Sequence, residues 1–224
     1  MTKIIKLNAS NKKKLGIVKT EALKVASSLF RKKIVDLDQI KDLIKLSPKK
    51  RQVIFDSFNM MHSLQMLHYE LKNILTKKFQ ENSLLWTYPQ IRIDGDFANT
   101  FTSPIHKDAW ILSHKKKGCI IWLPLNKNGG NLLIAPNQKL KKIIKHKYWG
   151  LESKDKITFK EQKIKYGEAL IFDHNLAHKS STKDDFRISI QLRYEEINLL
   201  NYKKSVTQKT DPLVKNYWFK RYKD

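Results

Sequence analysis

What most constrains this chain is a change of periodicity near Trp86. Upstream, apolar residues recur at helical spacing; downstream, short strand-like runs follow one another with no helical pattern between them. The runs are 88–94, 100–106, 118–125, 131–135, 157–166, 168–173 and 186–194. Turn chemistry punctuates them at Asp94-Gly95-Asp96, at Asn126-Lys127-Asn128-Gly129-Gly130 and at Tyr166-Gly167-Glu168. Parallel strands need long crossover connections, so strands without intervening helices imply an antiparallel sandwich or barrel. Helices first and strands second give an α+β domain whose helices cover one sheet.

In the helical half, residues 19–46 read as two pieces, the first striped by Ala22, Leu23, Val25, Ala26 and Leu29. Ser47-Pro48 has the form of an N-cap followed by proline at the first helical position. One long amphipathic helix is expected from there to about Phe79, with Met60, Met61 and Met66 as core filler and His62 and His68 as surface or packing residues. The chain thus divides into a helical segment (1–85), a β core (86–196) and an aromatic, basic tail (197–224).

The bulk numbers narrow the class. A length of 224 residues suits one domain with a substantial core. No apolar run reaches the roughly 18 residues of a membrane span, and the first residues lack a signal-peptide core. Cys119 is the only cysteine, which excludes an internal disulfide and fits a reducing cytoplasm; its apolar surroundings suggest a small buried thiol. The formal charge of +24 points towards polyanions, but only six of the 45 basic residues are arginine (31, 51, 92, 187, 193 and 221). Base and phosphate recognition favours arginine's planar fork. Dispersed, solvated lysine therefore outweighs a dedicated nucleic-acid surface, and an anionic small-molecule substrate is the favoured partner.

Against this frame, His106-Lys107-Asp108 stands at the end of one strand-like run and His178 follows another. Residues i and i+2 of a strand share a face, so His106 and Asp108 can reach one metal while Lys107 points away. An H-x-D by chance is common; His178 from a second strand is what completes a set of two imidazoles and one carboxylate, the ligands of a mononuclear non-haem Fe(II) centre. His174, four residues earlier, competes for the role and is expected to be a supporting or surface group; His114 and His146 sit among lysines. Arg187 begins the last strand nine residues after His178, and alternation places it with Ser189, Gln191 and Arg193 on one face. That face needs either an anionic ligand or a structural partner, for which Asp184, Asp185 and Glu195 are the near candidates.

The stretch from Ile91 to Tyr194 resembles the phytanoyl-CoA dioxygenase-like branch of the Fe(II)/2-oxoglutarate-dependent oxygenases. The likeness lies in Pro104-Ile105-His106-Lys107-Asp108, Ile121-Trp122-Leu123-Pro124-Leu125, Gly129-Gly130-Asn131-Leu132, Gly167-Glu168-Ala169-Leu170-Ile171-Phe172, His178-Lys179-Ser180 and the segment from Arg187 to Tyr194. Ala135-Pro136-Asn137-Gln138 departs from the family's Pro-Gly-Ser-His-like turn. The resemblance implies a double-stranded β-helix (a cupin-like jelly roll), iron held by His106, Asp108 and His178, and 2-oxoglutarate gripped by Arg187. Ser189 joins Arg187 in that expectation, and Trp122 and Ser180 match positions lining the 2-oxoglutarate pocket. It also implies consumption of dioxygen, release of succinate and CO2, and oxidation of a substrate C–H bond. Related halogenases carry a small residue where Asp108 stands, so this carboxylate implies hydroxylation. Two readings compete: a nucleic-acid dealkylating oxygenase, whose R-x5-R ending Arg187 and Arg193 also satisfy, and a non-enzymatic basic binding protein on the same scaffold.

Overall fold

The computed structural model describes residues 2–45, 47–75, 84–86, 89–95, 105–111, 118–135, 157–181 and 186–196. Strand β1 (Thr2–Lys6) is followed by helices α1 (Ala9–Phe30), α2 (Ile40–Ile44), α3 (Pro48–Asn59) and α4 (His62–Leu71). Strands β2 (Leu84–Trp86) and β3 (Gln90–Gly95) come next, then the short helix α5 (Asp108–Ile111). The remaining strands are β4 (Gly118–Pro124), β5 (Gly130–Ala135), β6 (Lys160–Ile164), β7 (Glu168–Asp173), β8 (Ala177–Ser180) and β9 (Phe186–Glu196).

The strands form two antiparallel sheets. The larger runs β1-β7-β4-β9, with β2 and β3 both pairing the far edge of β9; the smaller runs β6-β5-β8. Positive φ at Gly129 (82°) and Gly167 (84°) makes the turns into β5 and β7, a conformation that costs a side chain but not glycine. One face of the larger sheet packs on the helices: Ile121, Leu123, Ile171, Ile188, Ile190 and Leu192 share a core with residues of α1, α3 and α4. The other face meets the smaller sheet, where Ile120, Trp122, Leu170 and Phe172 close on Leu132, Ile134, Ile164 and Leu176. The expected α+β division with antiparallel sheets is therefore present.

Ser47 caps α3 as expected, its hydroxyl accepting from Lys50 N at 3.2 Å with Pro48 next to it. The helical half differs from expectation in three respects. Helix α1 begins at Ala9, ten residues before the expected helix start, and is preceded by β1, which sequence reading passed over. The single long helix after Pro48 is two, broken where Met61 is extended (φ −63°, ψ 131°). The break lets Asn59 act as a surrogate strand edge: its side chain accepts from Ile91 N at 2.7 Å and donates to Ile91 O at 3.2 Å. Met61 is core, but Met60 and Met66 are exposed, because the break turns their face to solvent. The tail 197–224 and the lysines at 115–117 and 139–147 lie outside the described residues, as do His114, His146 and most of the expected strand 100–106.

Candidate metal centre

His178 lies in β8, the short strand that follows β7. β8 pairs β5 on one side, and on the other His106 forms a one-residue antiparallel bridge to it. His106 N donates to His178 O at 3.1 Å and His178 N to His106 O at 2.9 Å. This pairing sets the two imidazole centroids 4.2 Å apart. Asp108 does not continue a strand, as the i, i+2 argument supposed; it is the first residue of α5. Ala109 N donates to His174 O at 3.2 Å, tying that helical turn to the β7–β8 connection and bringing the Asp108 carboxylate back to the histidines. The result is one ligand atom from each of His106, Asp108 and His178, all within 4.8 Å of one another.

The tautomer of His178 follows from its contacts. Its Nδ1 lies 3.1 Å from Leu176 O, a carbonyl that can only accept, so Nδ1 carries the proton. Its Nε2 is buried 3.3 Å from Asp108 Oδ2 and would turn its lone pair to a bound metal. A backbone carbonyl fixing the distal nitrogen while the proximal one faces a carboxylate is how metal-binding histidines are oriented. His106 and His178 with Asp108 are thus a donor set that fits a divalent transition metal.

Asp108 is fully buried, which alone would raise its pKa. Arg193 and the two histidines outweigh burial and hold the carboxyl well below its usual range. Arg193 Nε donates to Oδ1 at 2.7 Å, and Gln191 Nε2 to Oδ2 at 3.3 Å. The carboxylate is therefore charged and aimed, with Oδ2 turned towards His178.

The same interior face carries the other expected residues. Arg187 is 1% exposed; its Nη1 donates to Asn131 O, and its Nη2 to Ser180 Oγ at 3.1 Å and to Asp94 Oδ2 at 2.6 Å. Trp122 stacks near its guanidinium, 5.3 Å from carbon to ring centroid. Gly130 leaves room for both: a Cβ there would fall 2.7 Å from Arg187 Cδ and 3.0 Å from Trp122 Cη2. Ser189 is fully buried between Arg187 and Gln191. The structure thus groups Arg187, Ser180 and Trp122, and groups His106, Asp108 and His178. His174 is buried, not at the surface: its ring packs on Gly118, where a Cβ would meet it at 2.2 Å, and it stands outside the ligand cluster.

Two residues, Asp94 and Arg92, and the pairing of Arg193 escaped sequence reading. Among the described residues Asp94 is a carboxylate on Arg187; it is the direct cross-strand neighbour from β3. Asp184 and Asp185 lie outside the described residues. Arg92, two residues before Asp94, shares its face and puts Nη2 3.6 Å from Asp94 Oδ1. Burial, then the neighbouring arginines against the pull of Asp94, lowers the pKa of Arg92. Arg193 holds Asp108. The signal was in the alternation Ile91-Arg92-Ile93-Asp94, whose polar half must face something polar. A cavity of about 560 Å3, lined by Asp38, Lys41, Asn126, Asn131, Lys163 and Lys165 among others, borders the strand starts near Arg187. It does not touch the ligand cluster, whose identification rests on donor geometry.

No family model matches the chain, and no curated protein matches it. Among solved structures it is similar to EvdO2 from Micromonospora carbonacea var. aurantiaca (16% identity, TM-score 0.40, covering 71% of this chain and 64% of that one). It is similar also to the non-heme α-ketoglutarate dependent epimerase SnoN from nogalamycin biosynthesis (9%, 0.46, 98% and 91%). A third is a 2OG-Fe(II) oxygenase-family oxidoreductase from Burkholderia pseudomallei (14%, 0.42, 62% and 62%). The chain spans less than two thirds of the first and third of these proteins. Likenesses this distant assign neither fold nor activity.

Proposed function

We propose that the chain is an Fe(II)/2-oxoglutarate-dependent dioxygenase of the double-stranded β-helix type, close to the phytanoyl-CoA dioxygenase-like branch, that hydroxylates or otherwise oxidises a C–H bond of a small metabolite. One observation carries the reading: the donor cluster of His106, Asp108 and His178, with His178 Nε2 as its lone-pair donor, opens on the interior face that also buries Arg187.

His106, Asp108 and His178 would hold the metal, and Fe(II) bound there supplies the redox chemistry that couples dioxygen to decarboxylation of 2-oxoglutarate. The protein's own contribution is placement and charge. Arg193 keeps Asp108 ionised and leaves Oδ2 for the metal, while the Leu176 carbonyl keeps the His178 proton away from it. Arg187, steadied by Ser180 and Trp122, offers its guanidinium to the distal carboxylate of 2-oxoglutarate. Ser189 supplies a hydroxyl on the same face. Phe172, whose ring centroid is 5.0 Å from that of His178, covers one side of the cluster. Among Arg92, Arg187, Arg193, Asp94 and Asp108, guanidinium outnumbers carboxylate by three to two, which favours an anionic ligand within. Arg193 is turned inwards onto Asp108, so it is no phosphate contact, and this weighs against the nucleic-acid dealkylating alternative.

Anaerobic titration of metal-free protein with Fe(II) and 2-oxoglutarate tests the reading. A visible metal-to-ligand charge-transfer band is expected, weakened in His178→Ala. No band in folded wild-type protein would sink it and bring the non-enzymatic basic binding protein forward.

A further inference from the structure

Arg187 is already paired. Its Nη2 carries two N–H groups, and both have acceptors: Asp94 Oδ2 at 2.6 Å and Ser180 Oγ at 3.1 Å. Nη1 donates to the Asn131 carbonyl. The pair with Asp94 is built into the sheet, because Asp94 and Arg187 are direct partners in the β3–β9 register and so share a face. Both are almost fully enclosed, at 4% and 1% exposure. Arg92 lies on the far side of the same carboxylate, 3.6 Å from Oδ1. Asp94 is therefore gripped between two guanidinium groups and has little freedom to leave.

Resting on the reading of Arg187 as the co-substrate arginine, we propose that Asp94 is a built-in counter-ion that sets co-substrate selectivity. A carboxylate approaching Arg187 meets a guanidinium whose two Nη2 hydrogens already have acceptors, and a second carboxylate beside it. Inside a poorly screened interior that like-charge neighbour offsets most of the attraction. The distal carboxylate of 2-oxoglutarate thus adds little, and the chain takes 2-oxo acids with and without a second carboxylate at similar affinity. The keto-acid end, common to both, carries the binding. An arginine facing only neutral acceptors would discriminate strongly, since a hydrogen-bonded charge partner is worth about 10- to 150-fold.

The test is calorimetric and needs no turnover. Fe(II)-loaded full-length protein is titrated anaerobically with 2-oxoglutarate and with 2-oxopentanoate, which has the same carbon chain ending in methyl. In the wild type the two dissociation constants are expected within about tenfold of each other, below the span of a charged hydrogen bond. In Asp94→Asn, which keeps shape and removes charge, 2-oxoglutarate alone tightens and the preference widens to beyond about tenfold. A wild type that already prefers 2-oxoglutarate by more than that factor overturns the proposal, as does an Asp94→Asn variant with unchanged preference. The wild-type ratio decides the matter alone should the variant fail to fold. Binding of neither acid by iron-loaded wild type would instead overturn the co-substrate reading beneath it, so the two failures are told apart.

Discussion

Strand β9 buries both of its faces, and the two could hardly differ more. Ile188, Ile190, Leu192 and Tyr194 point at the helices, each at 0% exposure. Arg187, Ser189, Gln191 and Arg193 point into the sandwich at 1%, 0%, 4% and 5%. The first face is stabilised by removal of apolar surface from water, at roughly 1.5–3 kcal/mol per large side chain. The second gains nothing of that kind and must satisfy every donor it buries. Equal burial therefore has opposite meanings: one face is stabilised by burial itself, the other depends on partners such as Asp94 for Arg187 and Asp108 for Arg193.

The sharpest way to break that contrast is to remove one charge from the polar face. Asp94→Ala leaves Arg187 and Arg92 without the carboxylate between them, and such an uncompensated buried charge costs about 3–5 kcal/mol. Urea unfolding should show that loss, with part of it recovered when the metal and a 2-oxo acid are added. A loss near zero would mean that water reaches the pair and that the face is not dry. On the other face, Ile190→Ala removes core packing alone and is expected to cost about 2–4 kcal/mol. Added metal and 2-oxo acid should leave the size of this loss unchanged, since Ile190 touches only the helical core.

Much of the strand pattern was legible because it was punctuated. β4, β5, β7 and β9 are apolar or alternating runs bounded by Gly, Asn or Asp turns, and their edges fall close to expectation. β8 was not legible: Ala177-His178-Lys179-Ser180 is short, carries no β-branched residue, and is a strand only because β5 lies beside it. The break between α3 and α4 was hidden because the apolar spacing runs through it, and the Asn59–Ile91 pairing that goes with it is a contact across 32 positions. The same limit applies at the site. His106, Asp108, His178 and Arg187 could be nominated from residue type and order, since each chemistry needs few residue types. Asp94 could not be paired with Arg187, because the register of β3 on β9 joins residues 93 positions apart. Sequence neighbours are a poor guide to partners in an antiparallel sheet.

The apolar face also meets a buried histidine. His68 of α4 packs on Tyr194, ring centroids 5.0 Å apart, with Tyr194 Oη donating to His68 O at 3.0 Å. Burial drives its pKa down to about 3, against a weaker opposing hydrogen bond with the Arg193 backbone. It is neutral in the folded protein and titrates near 6.5 when unfolded. The unfolded state thus binds the extra proton, so stability is intact above that pH and declines as pH falls towards the folded value. The slope expected from this one group is about 1.4 kcal/mol per pH unit between pH 6 and 4. His68→Gln should flatten the profile of unfolding free energy against pH over that window. An unchanged slope would show that His68 takes up its proton without unfolding.

The smallest expected effect separates scaffold from site most cleanly. Ser189 is fully buried, and its Oγ has no hydrogen-bond partner among the described residues. If the polar face existed for stability, that hydroxyl would be a defect. Ser189→Ala relieves it and should stabilise the metal-free protein by up to about 1 kcal/mol in thermal or urea unfolding. On the reading of this face as a binding surface, the sign reverses once a 2-oxo acid is present, because the hydroxyl then gains an acceptor that alanine cannot serve. Affinity for 2-oxoglutarate should fall by roughly three- to tenfold, the value of a neutral hydrogen bond. Gain in the empty protein with loss in the liganded one is an outcome that no purely structural role for Ser189 produces. Loss in both would place the hydroxyl in the scaffold and return the polar half of β9 to the architecture of the fold.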